Sequence, residues 1–271
     1  DRGAVLKTIP VNDQGELLLD AYKALLSNKT KIVAIAHVSN VLGTIHPIKE
    51  IISLAHSCGA KVLIDGAQAA PYMPVDLQEL DADFYVFSGH KVYGPTGIGI
   101  LYGKRALLDA MPPSQGGGDM IETVTLEKST YNVLPMKFEA GTPMIAEVIG
   151  LGAAIDYLNR IGLHNIQKWE QTLLAHATKE LLKIDGLRII GTAKEKGGII
   201  SFVVEGVHSL DIGTMMDLRG IAIRTGHHCA QPAMCRFGVE GTARLSFGLY
   251  NTIEEVDYFI LSLKEIIALL K

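Results

Sequence analysis

Hydrophobic positions along the first hundred residues switch repeatedly between two periods. Residues 31–38 (KIVAIAHV) form a near-continuous apolar run, and Lys61–Asp65 and Phe84–Ser88 repeat it, followed by 97–102. Short apolar runs of this kind predict strands buried on both faces of a sheet. Between the first two, Pro47 opens a stretch in which Ile48, Ile51, Ile52 and Ala55 share one helical face, and Gly59 closes it. That arrangement predicts a helix over 47–58. Residues 4–10 read as a further strand. Strands alternating with helices predict an α/β fold built on a mainly parallel sheet with helices on its faces.

The pattern changes after residue 103. Residues 104–144 are irregular, and the glycines of 115–119 require a loop. Helical periodicity then covers 145–161 and 163–184. Strands are expected at Leu187–Ile190, Ile199–Val204, 221–224 and 243–247, with a helix from Ser209 to near Gly220. Thr252 and Glu255 have capping-box spacing. They open a terminal helix whose apolar stripe runs through Val256, Phe259, Ile260, Leu263, Ile266 and Ile267. The expected organisation is a large domain over 1–150 and a smaller C-terminal α+β domain over 151–271, joined by helices near 150–185.

Composition narrows the function classes. A net charge of −4 provides no basic field for nucleic acid. No run approaches the length of a membrane span, and no basic, then apolar, leader opens the chain. Cysteines are few and odd in number: Cys58, Cys229 and Cys235. That argues against a disulfide framework and for a reducing, cytoplasmic setting.

Ligands of open α/β sheets bind beyond the carboxyl ends of the strands. Two such ends carry reactive groups here. Asp65-Gly66-Ala67-Gln68 follows one strand and Ser88-Gly89-His90-Lys91 follows another. Alone, a Lys there is an ordinary surface residue and an Asp an ordinary helix cap. Together they supply what pyridoxal phosphate (PLP) requires. The carboxylate can keep the pyridine nitrogen protonated, the amine can form a Schiff base, and the hydroxyl and imidazole can bind phosphate.

These motifs resemble those of the class V aminotransferase-fold enzymes, a branch of the fold-type I PLP-dependent transferases. The resemblance is closest to the SUF-type (group II) cysteine desulfurases, also described as selenocysteine lyases. It rests on Asp65-Gly66-Ala67-Gln68, on Ser88-Gly89-His90-Lys91-Val92-Tyr93-Gly94-Pro95-Thr96-Gly97, on His37-Val38-Ser39-Asn40-Val41-Leu42-Gly43 and on Phe138-Glu139-Ala140-Gly141-Thr142-Pro143. It implies that Lys91 attaches the cofactor. Asp65 would pair with the pyridine nitrogen, Gln68 with the ring hydroxyl, and Ser88 and His90 with the phosphate. It places Asn40 near the substrate and has Thr142 reach the phosphate in the neighbouring subunit of a homodimer. An upstream segment supplies a stacking histidine and a phosphate-binding hydroxyl in that family. No counterpart is found here, so the chain reads as lacking that segment.

Cys229 lies in Arg224-Thr225-Gly226-His227-His228-Cys229-Ala230-Gln231-Pro232. A cysteine is commonly a small buried apolar residue, the reading given to Cys58 and Cys235. Around Cys229 the imidazoles and Arg224 favour a thiolate instead. A metal site from His227, His228, Cys229 and Cys235 is disfavoured, because adjacent side chains do not converge on one ion. Arg244 sits in an otherwise apolar strand, where it serves either a structural ion pair or a ligand carboxylate. The resemblance implies that Cys229 forms the persulfide and that Arg224 and Arg244 contact substrate, Arg244 through the α-carboxylate. The implied reaction converts L-cysteine to L-alanine and passes sulfur to an acceptor protein for iron-sulfur cluster assembly. A selenocysteine-specific lyase or a non-catalytic scaffold are the other readings.

Overall fold

A computed structural model describes residues 3–271. In chain order the elements are α1 (Leu19–Leu25), β1 (Ile32–Ala36), α2 (Ile48–Ser57), β2 (Lys61–Asp65), α3 (Leu77–Leu80), β3 (Phe84–Ser88), β4 (Gly99–Gly103), α4 (Arg105–Ala110), β5 (Ile121–Val124), β6 (Ser129–Tyr131), α5 (Ile145–Ile161), α6 (Leu163–Leu181), β7 (Leu187–Ile190), β8 (Ile199–Val204), α7 (Ser209–Asp217), β9 (Arg224–Gly226), α8 (Gln231–Phe237), β10 (Thr242–Ser246) and α9 (Ile253–Leu270).

The first sheet has the order β1-β2-β3-β4. β1, β2 and β3 are parallel, and Ala36, Asp65 and Val86 stand side by side at their carboxyl ends. β4 returns antiparallel, with Gly99 opposite Ser88. Tyr22 of α1 and Ile48, Ile51, Ile52 and Ala55 of α2 cover one face, over Val33, Val62, Ile64 and Tyr85. On the other face Ile32 of β1 and Leu101 of β4 stay exposed. The expected burial on both faces is therefore not met, because no described helix covers that side. Asp83 pins the base of β3. It is buried and accepts hydrogen bonds from the Val62 N–H at 2.8 Å and from His56 Nε2 at 2.7 Å. Burial alone would raise its pKa, but those contacts more than offset it and hold the carboxyl below its ordinary value.

The second sheet, β7-β8-β10-β9, is antiparallel throughout. α6, α7 and α9 bury one core on it, through Leu173, Ala177 and Leu181, Ile212 and Met216, and Phe259, Leu263 and Ile266. Phe202 of β8 meets Phe259 edge-on within that core. The capping box of Thr252 and Glu255 forms as expected at the start of α9.

The loop after β1 joins the two sheets. Thr44 bridges to Lys196, the Ser201 hydroxyl donates to Val41 O at 2.6 Å, and Val41 and Leu42 pack on Ile190 and Met234. Several boundaries differ from the sequence expectations. Residues 4–10 form no strand; Val5 and Leu6 face solvent with no partner strand beside them. The fourth strand starts at Gly99 and runs antiparallel. α6 stops at Leu181, and the strand expected at 221–224 forms at Arg224–Gly226, where pairing with β10 begins.

Candidate active site

The parallel register sets Asp65 beside Val86, two residues before Ser88, so both reactive strand ends open on the same edge of the first sheet. Gly66 lies flat against the Tyr85 ring; a Cβ there would fall 2.0 Å from the ring, so no other residue fits without moving Tyr85. Tyr85 is fixed in turn by His37 Nδ1, at 3.1 Å from its hydroxyl. His37 is buried, and that burial lowers its pKa to about 4, which keeps it neutral. Asp65 Oδ1 accepts the Ala67 N–H at 2.9 Å. Lys91 ends a single 3₁₀ turn, Gly89–Lys91, tied down by the Gly89 N–H donating to Ile98 O at 2.8 Å. Among the described residues, the side chains of Gln68, Ser88, His90 and Lys91 hydrogen-bond no other protein group. The donors and acceptors that PLP would need are thus held by rigid backbone and left free.

The second sheet contributes the sulfur and guanidinium groups. Arg224 on β9 and Arg244 on β10 are directly paired across the sheet. Arg224 Nη2 reaches Cys229 Sγ at 3.7 Å, and Cys229 is exposed. Arg244 is half-buried. Its Nη1 donates to Asn40 O at 2.8 Å, while its Nε is buried without a partner among the described residues. An orphaned guanidinium N–H is costly to bury, and a carboxylate arriving at Arg244 would satisfy it.

Two expectations need correction. His228 does not place positive charge beside Cys229. It is buried, burial holds its pKa at about 4, with repulsion from Arg244 adding to the effect, and its Nε2 is bonded to Thr242. The cation at the sulfur is Arg224. Cys235 is exposed, because the short helix α8 turns Met234 inward and its neighbour outward. Asn40 lies between the two arginine-bearing elements: its Nδ2 donates to His228 O at 2.7 Å and its O accepts from Arg244. Thr142 stands apart, exposed after the Gly141 turn, with no hydrogen bond to the other site residues.

Gln68, His90 and Lys91 share a cavity of about 260 Å³ with Tyr72, Tyr93 and Glu170. Gly197 and Gly198 line its far wall. Sequence reasoning missed Glu170. Its signal was a carboxylate in register with the apolar stripe of α6, four residues after Ile166 and three before Leu173. Glu170 is 5 % exposed, and burial raises its pKa to about 8. The folded chain therefore holds this proton to higher pH than the unfolded chain does. Stability from this group is intact below the ordinary glutamate value of 4.5 and is lost as pH rises towards 8. Glu170→Gln is expected to raise unfolding free energy at pH 8 by about 1–3 kcal/mol and to change nothing near pH 4. Denaturant unfolding at the two pH values checks this; equal gains at both would remove buried ionisation as the cause.

The aminotransferase class-V family model matches residues 1–259. The chain belongs to that family. Family relatives include a cysteine desulfurase of Synechococcus elongatus, 54% identical over 98% of this chain and 42% of that protein. A cysteine desulfurase of Escherichia coli (strain K12 / DH10B) is 51% identical over 99% of this chain and 66% of that protein. The fold matches the crystal structure of the cysteine desulfurase CsdA (S-sulfonic acid) from Escherichia coli with a TM-score of 0.93 and 41% identity. That match covers 97% of this chain and 65% of the other. The apo cysteine desulfurase of Thermococcus onnurineus NA1 gives a TM-score of 0.93 at 39% identity, covering 97% of this chain and 66% of the other. The chain thus spans between about two-fifths and two-thirds of the length of the relatives it matches. No described helix is long and apolar enough to cross a membrane.

Proposed function

We propose that this protein is a PLP-dependent cysteine desulfurase. The observation that carries the reading is the pairing of two half-sites. A bed with Asp65 and the side chains of Lys91, Gln68, Ser88 and His90, unbonded among the described residues, opens on the first sheet. An exposed Cys229, with Arg224 at its sulfur and the unsatisfied Arg244 behind it, projects from the second. A generic PLP enzyme needs the first set and has no use for the second.

In this reading Lys91 anchors the cofactor and Asp65 holds a proton on its ring nitrogen. Gln68 takes the ring hydroxyl, and Ser88 and His90 the phosphate. When bound, PLP supplies an electron sink for charge developing at the substrate α-carbon. The protein does the rest. Arg244 Nε and Nη groups take the substrate carboxylate. The Lys91 amine moves the α-proton. The Cys229 thiolate attacks the substrate sulfur: an S–S bond forms, the Cβ–S bond breaks, and its electron pair stays with Cβ, which takes up a proton. Alanine leaves, and the persulfide on Cys229 is passed to an acceptor protein of iron-sulfur cluster assembly.

Two coarser features complete the proposal. Residues 1–150 form the PLP-binding domain and 151–271 a smaller one. Two copies pair so that Thr142 reaches the other subunit's phosphate, and the exposed Met144, Ile145, Val148 and Ile149 after it are suited to such a contact. The test of the cofactor assignment is borohydride reduction of the PLP-loaded, full-length protein. Peptide mapping is expected to find the label on Lys91. A label on any other lysine removes the assignment.

A further inference from the structure

We propose that His228 is a positioning residue for Cys229, clamping the turn that carries the thiol to the strand that carries Arg244. The turn is strained. His228 has φ 54° and Cys229 φ 58°, two consecutive side-chain-bearing residues in the left-handed region. Each such residue is sterically strained and persists only where neighbouring contacts over-determine it.

Those contacts come from two sides. His228 Nε2 lies 3.1 Å from Thr242 O and 2.8 Å from Thr242 Oγ1. A carbonyl oxygen only accepts, so the neutral ring carries its proton on Nε2 and donates it to Thr242. Nδ1 is then a bare acceptor, which agrees with its having no partner among the described residues. On the other side, Asn40 Nδ2 donates to His228 O at 2.7 Å, and Arg244 Nη1 donates to Asn40 O at 2.8 Å. Thr242 and Arg244 are two residues apart on β10. The contacts therefore close a ring, Arg244 to Asn40 to His228 to Thr242, with Cys229 attached next to its third member. This ring ties the turn that carries the thiol to the Arg244 guanidinium. Among the described residues, Cys229 contributes only its own Sγ contact with Arg224.

The kinetic arm of the test rests on the desulfurase reading; the structural arm does not. In full-length, PLP-loaded protein, His228→Ala is expected to speed hydrogen exchange of the 227–231 peptide about tenfold or more, without a matching rise elsewhere. Turnover of L-cysteine to alanine should fall by about 100-fold in kcat, with KM and bound PLP unchanged, as expected for a nucleophile displaced by about 1 Å. His228→Gln, whose amide nitrogen can occupy the Nε2 position, should recover most of both. Thr242→Val removes one acceptor and should move both readouts in the same direction by less. Exchange at 227–231 within twofold of the parent's in His228→Ala, or exchange that rises uniformly across the chain with kcat unchanged, overturns the proposal. Should His228→Ala not fold, unchanged local exchange and kcat in Thr242→Val overturn it equally. A parent protein that makes no alanine from cysteine defeats the desulfurase reading instead, and the exchange data still decide the clamp.

Discussion

Replacing Cys229 with alanine is expected to reduce alanine formation from L-cysteine by roughly 10³-fold or more, the scale seen when a covalent nucleophile is removed. The expectation follows from how the site is divided. The residues assigned to PLP lie on the first sheet, whereas Cys229 lies beyond β9 on the second. The variant should therefore bind PLP with the parent's absorbance and still take up cysteine at Arg244. Removal of sulfur is what fails, because a thiol is not readily expelled without a second nucleophile. Selenium leaves more easily, so alanine formation from selenocysteine should persist to a large extent. In the parent, one turnover without acceptor should leave a single added sulfur on the Cys229 peptide by mass spectrometry. Parent-level desulfuration by Cys229→Ala would make a PLP lyase without a persulfide the better reading.

Asp65→Asn is expected to produce the second large loss, about 10³-fold in rate, by a different route. A carboxylate stabilises a protonated ring nitrogen; a neutral amide of the same shape does not. Asp65 is well placed for this, since among the described residues only its Oδ1 is used, on the Ala67 N–H. The reaction that isolates the effect is exchange of the α-hydrogen of L-alanine with solvent deuterium, followed by NMR. That exchange needs Lys91 and a working electron sink but no thiol. It should survive Cys229→Ala and collapse in Asp65→Asn, while PLP remains bound in both. Near-normal exchange in Asp65→Asn would remove the residue from its assigned role.

The parallel part of the first sheet was legible because its signal is local. Apolar runs ending in Asp65 and Ser88 put the reactive groups at strand ends, and the register then sets them side by side. Residues 4–10 look equally strand-like, but a strand needs a partner, and nothing in a local pattern states whether one is present. The direction of β4 was hidden for a similar reason: the turn 89–98 that reverses it is stabilised by contacts such as the Gly89 N–H on Ile98 O, which leave no periodic trace. At the site, Cys229 and Arg244 stood out as polar groups in unusual settings. The role of His228 did not, since a histidine next to a cysteine suggests charge, and only its partner Thr242, 14 residues away, shows that the ring is buried and neutral. Glu170 was masked by the same logic in reverse, a charged residue lying within an apolar stripe.

The separation of the chemistry onto two sheets has a consequence for how the protein can change over time. The residues proposed to hold PLP are embedded in a hairpin and a parallel register, where a substitution disturbs every neighbour. The thiol hangs from a surface turn secured by three hydrogen-bonding residues on β1's following loop and on β10. Substitutions in α8 or in the exposed stretch around Cys229 can therefore alter what docks against the sulfur without touching Lys91 or Asp65. On the proposed reading, the choice of sulfur recipient is free to change while the reaction at the α-carbon stays locked.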